Sequence, residues 1–365
     1  MANTSENANL CGLKREDFQT TINGKKTDLY ILRNRKGYEV AITNFGGAIC
    51  AIMVPDKDGN VGNVIQGYNN IQSLINAPEP FLSTLIGRFG NRICKGMFTL
   101  NGKEYQLAVN NGENHLHGGP TGFHSKVWDA RQMGPRALAL HRISSYGEEG
   151  FTGELDVTVE FTFTDQNELV LEYLATTNKK TIVNLTHHAF FSLAGTADPT
   201  PTIDDQILEI NADFYIPTDA TAIPTGEILK VEGTPFDFRT PKAIGKDINA
   251  DHEQIKFGNG FDHNYVLNKK EEGELSFAAR VTEPKSGRTM ECYTTEPGVQ
   301  LYTGNYLTGN FKGANGATFP RRSALCLECQ HFPDTPNRPY FPSVVLNPGE
   351  RYKQKTIYKF GVASN

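Results

Sequence analysis

The stretch ELDVTVEFTFTDQNELVLEYLA, residues 154–175, alternates apolar and polar side chains on both sides of a short polar break. Leu155, Val157, Val159, Phe161 and Phe163 fall on one face of an extended chain, and Asp156, Thr158, Glu160, Thr162 and Thr164 on the other. DQNE reads as a turn, after which Leu169, Leu171, Tyr173 and Ala175 resume one face, so the stretch predicts a β-hairpin with one side against a core.

Working outward, the same pattern returns in GYEVAITN, MFTLNG, KEYQLAV, ALALHRISS, TIVNLTHHAFFSL, QILEINADFYIP, HNYVLN, FAARVTE, TMECYTT, VQLYTG and SALCLECQ. Short strands divided by Gly, Asn, Asp and Pro turns predict an all-β sandwich or barrel. Helical spacing is confined to NIQSLINA and AIGKDINADHEQI, which argues against parallel βαβ architecture. No repeat, low-complexity segment or long linker divides the chain. Residues 11–365 read as one domain behind a polar tail, residues 1–10, that is expected to fray.

The chain has 365 residues, a net charge of -5 and 38% hydrophobic residues, enough apolar content for a sizeable core. A mild acidic balance without a Lys/Arg block argues against nucleic acid or an anionic membrane surface as partner, and points to a small neutral molecule. No apolar run approaches the ~18 residues that span a bilayer, and the N-terminal residues lack a secretory pattern, so a cytoplasmic location is expected. The six cysteines are scattered and read as reduced thiols. Cys326 and Cys329, three apart in a strand, point to opposite faces with α-carbons roughly 10 Å apart, too far for a disulfide.

Candidate chemistry centres on histidines and one glutamate. In TIVNLTHHAFFSL, alternation puts Leu185, His187, Ala189 and Phe191 on one face and Asn184, Thr186, His188 and Phe190 on the other. The second face is the more polar, which makes His188 the catalytic candidate and His187 a buried imidazole with a backbone partner. Glu328, in ALCLECQ, sits among residues that suit a buried strand, where lost hydration raises a carboxyl toward proton transfer near neutrality. The bland alternative is a buried ion pair with Arg92 or Arg322. Asp262, in GFDHN, could simply tie down its own turn. Asn91, Arg92 and Gln300 are available for hydroxyl groups. Neither a Walker loop nor a Gly-x-Ser-x-Gly elbow is present.

Several stretches, GRFGNRICKGMFTLNGKEYQLAVNNGENHLHGG, NLTHHAFFSLAG, GFDHNYVL, PGVQLYTGNYL and LCLECQHFPDTPN, resemble the aldose 1-epimerase (galactose mutarotase) family in order and spacing. The resemblance covers nearly the whole chain, including the closing FPSVVLNPGERYKQKTIYKF. It implies a large antiparallel β-sandwich, the galactose mutarotase-like supersandwich, with few short helices. The implied activity interconverts the α and β anomers of free aldohexoses such as galactose and glucose, without metal or organic cofactor. By resemblance Glu328 matches the general base and His188 the general acid toward the ring oxygen. Asn91, Arg92, His117, Asp262 and Gln300 match substrate-binding positions. His115, His187 and Phe190 depart from the family pattern, and alternation puts His115 on the face of His117, an extra imidazole expected near the site.

Three other readings compete. A glycoside hydrolase would use Asp262 and Glu328 as its carboxylate pair. A metalloenzyme would use His115, His117, His188 and Glu328 as ligands. A sugar-binding protein without turnover would keep Asn91, Arg92 and Asp262, but retention of both His188 and Glu328 favours an enzyme. A monomer or a homodimer is expected.

Overall fold

A computed structural model describes residues 9–364. The opening hairpin pairs Leu155–Phe163 with Glu168–Thr177, Phe163 opposite Leu169, and Asn167 takes the positive φ of 59° that closes its turn. Every residue expected on the inner face, from Leu155 to Ala175, is at most 3% exposed. Each large side chain so buried contributes about 1.5–3 kcal/mol.

This hairpin lies within a nine-stranded, wholly antiparallel sheet. Its order is Asp129–Gln132, Ala137–Ser144, Leu155–Phe163, Glu168–Thr177, Tyr352–Val362, Arg288–Thr294, Ser276–Thr282, Ile207–Ile210, Lys242–Ala243. A five-stranded sheet of Leu229–Lys230, Phe214–Tyr215, Asp262–Val266, Gly298–Tyr302 and Cys326–Gln330 packs against it. Tyr265, Val299, Leu301, Leu327 and Cys329 share one core with Phe161, Leu171, Met290 and Tyr358. Period two then turns Asp262, Asn264, Gln300, Tyr302 and Glu328 to the opposite face. In register, Asn264 stands beside Gln300 and Gln300 beside Glu328. This polar row floors the site.

Several expectations need correction. TIVNLTHHAFFSL is not one strand. Thr181–Ile182 pairs with Val345–Leu346, Thr186–His187 pairs with Leu85–Ile86, and Phe191 bridges Ile65 and Leu325, so the segment passes between sheets and changes partner every few residues. QILEINADFYIP divides likewise, Ile207–Ile210 joining the large sheet and Phe214–Tyr215 the smaller. NIQSLINA contains the helix Ile71–Ile75, capped by Asn70. AIGKDINADHEQI instead holds a single 3-10 turn, Ile244–Lys246, and only the start of the helix Glu253–Gly258. A further four-stranded sheet includes Ile49–Pro55, which is buried on both faces and so shows no alternation to detect.

The expected frayed tail falls mostly on residues 1–8, outside the described residues; of the rest, the amide of Leu10 donates to Glu39 Oε2. All six cysteines are free. Cys326 and Cys329 belong to different core clusters, as opposite faces require, and Cys329 Sγ lies 3.4 Å from Cys292 Sγ. Among the described residues no helix is long and apolar enough to cross a membrane.

Candidate active site

Above the polar row lies a cavity of about 250 Å³ lined by Asn91, Arg92, His117, His188, Asp262 and Glu328, together with Glu79, Phe81, Tyr302 and Tyr306. Segments more than two hundred residues apart in sequence meet there. Local backbone requirements place each one. Asn91 and His117 both adopt positive φ, 68° and 50°, and clasp each other: His117 N–H donates to Asn91 O at 3.0 Å, and Asn91 N–H donates to His117 Nδ1 at 2.9 Å. Gly118 follows because a Cβ there would lie 1.9 Å from Gly87 O. Arg88, one turn of loop earlier, is 2% exposed and donates to the backbone of residues 144, 145, 152 and 153. It is scaffold, and burial pulls its guanidinium down to about 10.

His188 is clamped by its backbone, N–H to Thr84 O at 2.8 Å and carbonyl from Ser83 N–H at 3.0 Å. Its ring stacks on Phe190, centroids 4.9 Å apart and planes 14° apart. His187 points the other way, its Nε2 3.1 Å from Gly47 O and its ring edge-on to Phe161 in the core.

Glu328 is 2% exposed and pairs with neither arginine weighed as its partner. Arg322 is engaged by Asn249, Asn259 and Asn305, and Arg92 Nε donates to Asn111 Oδ1 at 2.9 Å. Two imidazoles flank the carboxylate instead: His188 Nε2 is 3.4 Å and His117 Nε2 3.8 Å from Glu328 Oε1. That oxygen is buried without a hydrogen bond among the described residues, an acceptor left for a ligand. Burial, and then Asp262, push the Glu328 carboxyl well above the usual range, with Arg92 opposing. Burial lowers His188 to about 3 and holds His117 well below 6.5. Burial therefore favours a neutral acid beside neutral imidazoles.

Asp262 does not tie down its own turn; its Oδ1 accepts from Gln300 Nε2 at 2.8 Å. Gln300, expected to meet substrate, lies below Asp262 and outside the cavity lining, its Oε1 taken by Gln330 Nε2 at 3.4 Å. Its amide thus links Asp262 on one neighbouring strand to Gln330 on the other. His115 is also displaced from expectation. The strand His115–Leu116 ends before the left-handed His117, so Leu116 and His117 line the cavity while His115 bonds Ala108 O at 2.6 Å and packs edge-on against Phe151. Glu79, Phe81, Tyr302 and Tyr306 were not anticipated. Alternation in VQLYTG could have found Tyr302, two residues beyond Gln300.

Of the four ligands weighed for a metal, three come together and one does not. Donor atoms of His117, His188 and Glu328 lie within 4.8 Å of one another, but His115 is turned away. Moreover, Asn91 N–H donates to His117 Nδ1, so the ring proton sits on Nε2, the atom facing the cavity. A metal there needs the opposite tautomer.

The sequence model of the family described as Aldose 1-epimerase matches residues 28–359. The galactose mutarotases of Bos taurus and Homo sapiens are each 46% identical over 324 residues, covering 89% of this chain and 91% of theirs. The aldose 1-epimerase of Escherichia coli K12 is 34% identical over 339 residues, 92% of this chain and 96% of its own. Among solved structures, an aldose epimerase homologue from C. elegans superposes with a TM-score of 0.84 at 29% identity, over 93% of this chain and all of that one. Galactose 1-epimerase from Lactobacillus acidophilus gives 0.81 at 28%, over 94% and 97%. The antiparallel sandwich, the cavity on its smaller sheet and these matches lead to one conclusion: the chain belongs to the aldose 1-epimerase family.

Proposed function

We propose that this aldose 1-epimerase interconverts the α and β anomers of free hexoses such as galactose and glucose, with Glu328 as general base and His188 as general acid. One observation carries the reading: a buried carboxylate oxygen without a hydrogen bond lies 3.4 Å from an imidazole nitrogen, both facing a cavity rimmed by polar groups. Glu328 takes the proton of the C1 hydroxyl while His188, as imidazolium, gives one to the ring oxygen. The C1–O5 bond breaks as C1=O1 forms. Rotation about C1–C2 and the reverse transfers close the ring as the other anomer.

The pair needs one proton throughout, on His188 before ring opening and on Glu328 after it. Burial favours the second arrangement. The hydroxyls of a bound sugar and the positive charge of Arg92 supply what the carboxylate form lacks. The Nε2–H of His117 faces Glu328 and orients the sugar as a donor. Asn91, Arg92 and Asp262 bind hydroxyls, and Gln300 holds Asp262 in place. A cytoplasmic location suits six unbridged thiols.

The test is anomer exchange of freshly dissolved α-D-galactose and α-D-glucose, followed by polarimetry or NMR. Glu328→Gln and His188→Asn are each expected to lose roughly 10²- to 10⁴-fold in kcat with folding retained. Normal exchange in either variant would remove the assigned role. Reducing sugar released from glycosides, without faster exchange of free sugar, would favour hydrolysis instead.

A further inference from the structure

Between the helix Ile71–Ile75 and the strand Leu85–Ile86 the chain reads Ala77-Pro78-Glu79-Pro80-Phe81. Prolines on both sides of Glu79 restrict the backbone there. The buried Tyr68 hydroxyl then pins it twice, donating to Glu79 O at 2.9 Å and accepting from Glu79 N–H at 3.0 Å. The side chain so fixed lines the cavity beside Tyr302. Burial raises its carboxyl to about 7, and among the described residues no ion-pair or hydrogen-bond partner offsets that burial. A partly buried carboxylate on a pinned backbone, with no protein donor among the described residues, is an acceptor that the hydroxyls of a ligand can satisfy.

We propose that Glu79 is a specificity-determining residue that binds the sugar hydroxyls remote from the anomeric carbon. The inference rests on the assignment of Glu328 and His188 to O1 and the ring oxygen. Those two groups lie at the floor of the cavity, 2% and 6% exposed, whereas Tyr306, at 59%, stands at its mouth. A hexose whose C1 faces Glu328 and His188 turns its far hydroxyls to the rest of the lining, of which Glu79 is part. A carboxylate there accepts two hydroxyl donors at once, and it disfavours sugars that carry a negative charge at that end.

The experiment measures anomer exchange against concentration for galactose, glucose and their 3-, 4- and 6-deoxy derivatives, with wild type, Glu79→Gln and Glu79→Ala. Expected is a rise in KM of roughly tenfold or more for Glu79→Ala and a smaller one for Glu79→Gln, with kcat within about threefold. One deoxy sugar is expected to show a raised KM in the wild type that Glu79→Ala does not raise further. Unchanged KM in Glu79→Ala for every sugar, or an equal fall in kcat for all of them with KM constant, would overturn the proposal. If the wild type accelerates exchange and Glu328→Gln abolishes it while Glu79→Ala is indifferent, only the Glu79 assignment fails. If Glu328→Gln exchanges normally, the base assignment fails and this inference falls with it.

Discussion

At the scale of single residues, burial of Glu328, the proposed base, works against stability. Its folded-state pKa is raised above the ordinary 4.5, mainly by burial, so its contribution to stability is intact below that value and declines as the pH rises through the folded pKa. Glu328→Gln removes the charge and keeps the shape. We expect the variant to melt a few degrees above the parent at pH 8, the gap closing as the pH falls toward 4.5; equal melting at pH 8 would contradict the burial argument. His187 behaves in the opposite sense. Replacing it by Ser empties space beside Phe161 and loses the bond to Gly47, at a cost of about 2 kcal/mol in thermal or urea unfolding, with kcat within about threefold. The separation of these two histidines was legible in the sequence because adjacent residues of an extended segment face opposite ways. The place of His115 was not: His117 takes a positive φ, which ends the alternation that would have put both imidazoles on one face.

At the scale of elements, the site depends on turns as much as on strands. The LHGG turn works because Gly118, at φ 85°, passes against the carbonyl of Gly87. Gly118→Ala forces that backbone apart and carries His117 with it. We expect a loss of roughly 100-fold in kcat with the far-ultraviolet circular dichroism unchanged, since misplacement by about 1 Å suffices for such a loss. The strands under the site were readable where one face is wet and the other dry, as in HNYVLN and VQLYTG. Strands buried on both faces, such as Ile49–Pro55, carry no alternation, and the segment through His188 changes partner too often to read as one element. Which strands neighbour each other was not legible from any single stretch. The row Asn264, Gln300, Glu328 exists only because three distant segments share a register.

At the scale of the whole molecule, the cavity draws on residues from Glu79 to Glu328, while the sheet beneath the core is joined across its middle by the strand Tyr352–Val362. That strand lies between Glu168–Thr177 and Arg288–Thr294, bonded on both sides. A chain emerging from the ribosome therefore cannot complete its main sheet until these residues have left the exit tunnel. Until then two long strand edges remain unpaired, open to misassociation between nascent chains. A chain stopped after residue 350 is expected to lack a cooperative melting transition and to aggregate, and a soluble product with a sharp transition would show that the two flanking strands can close without their central member.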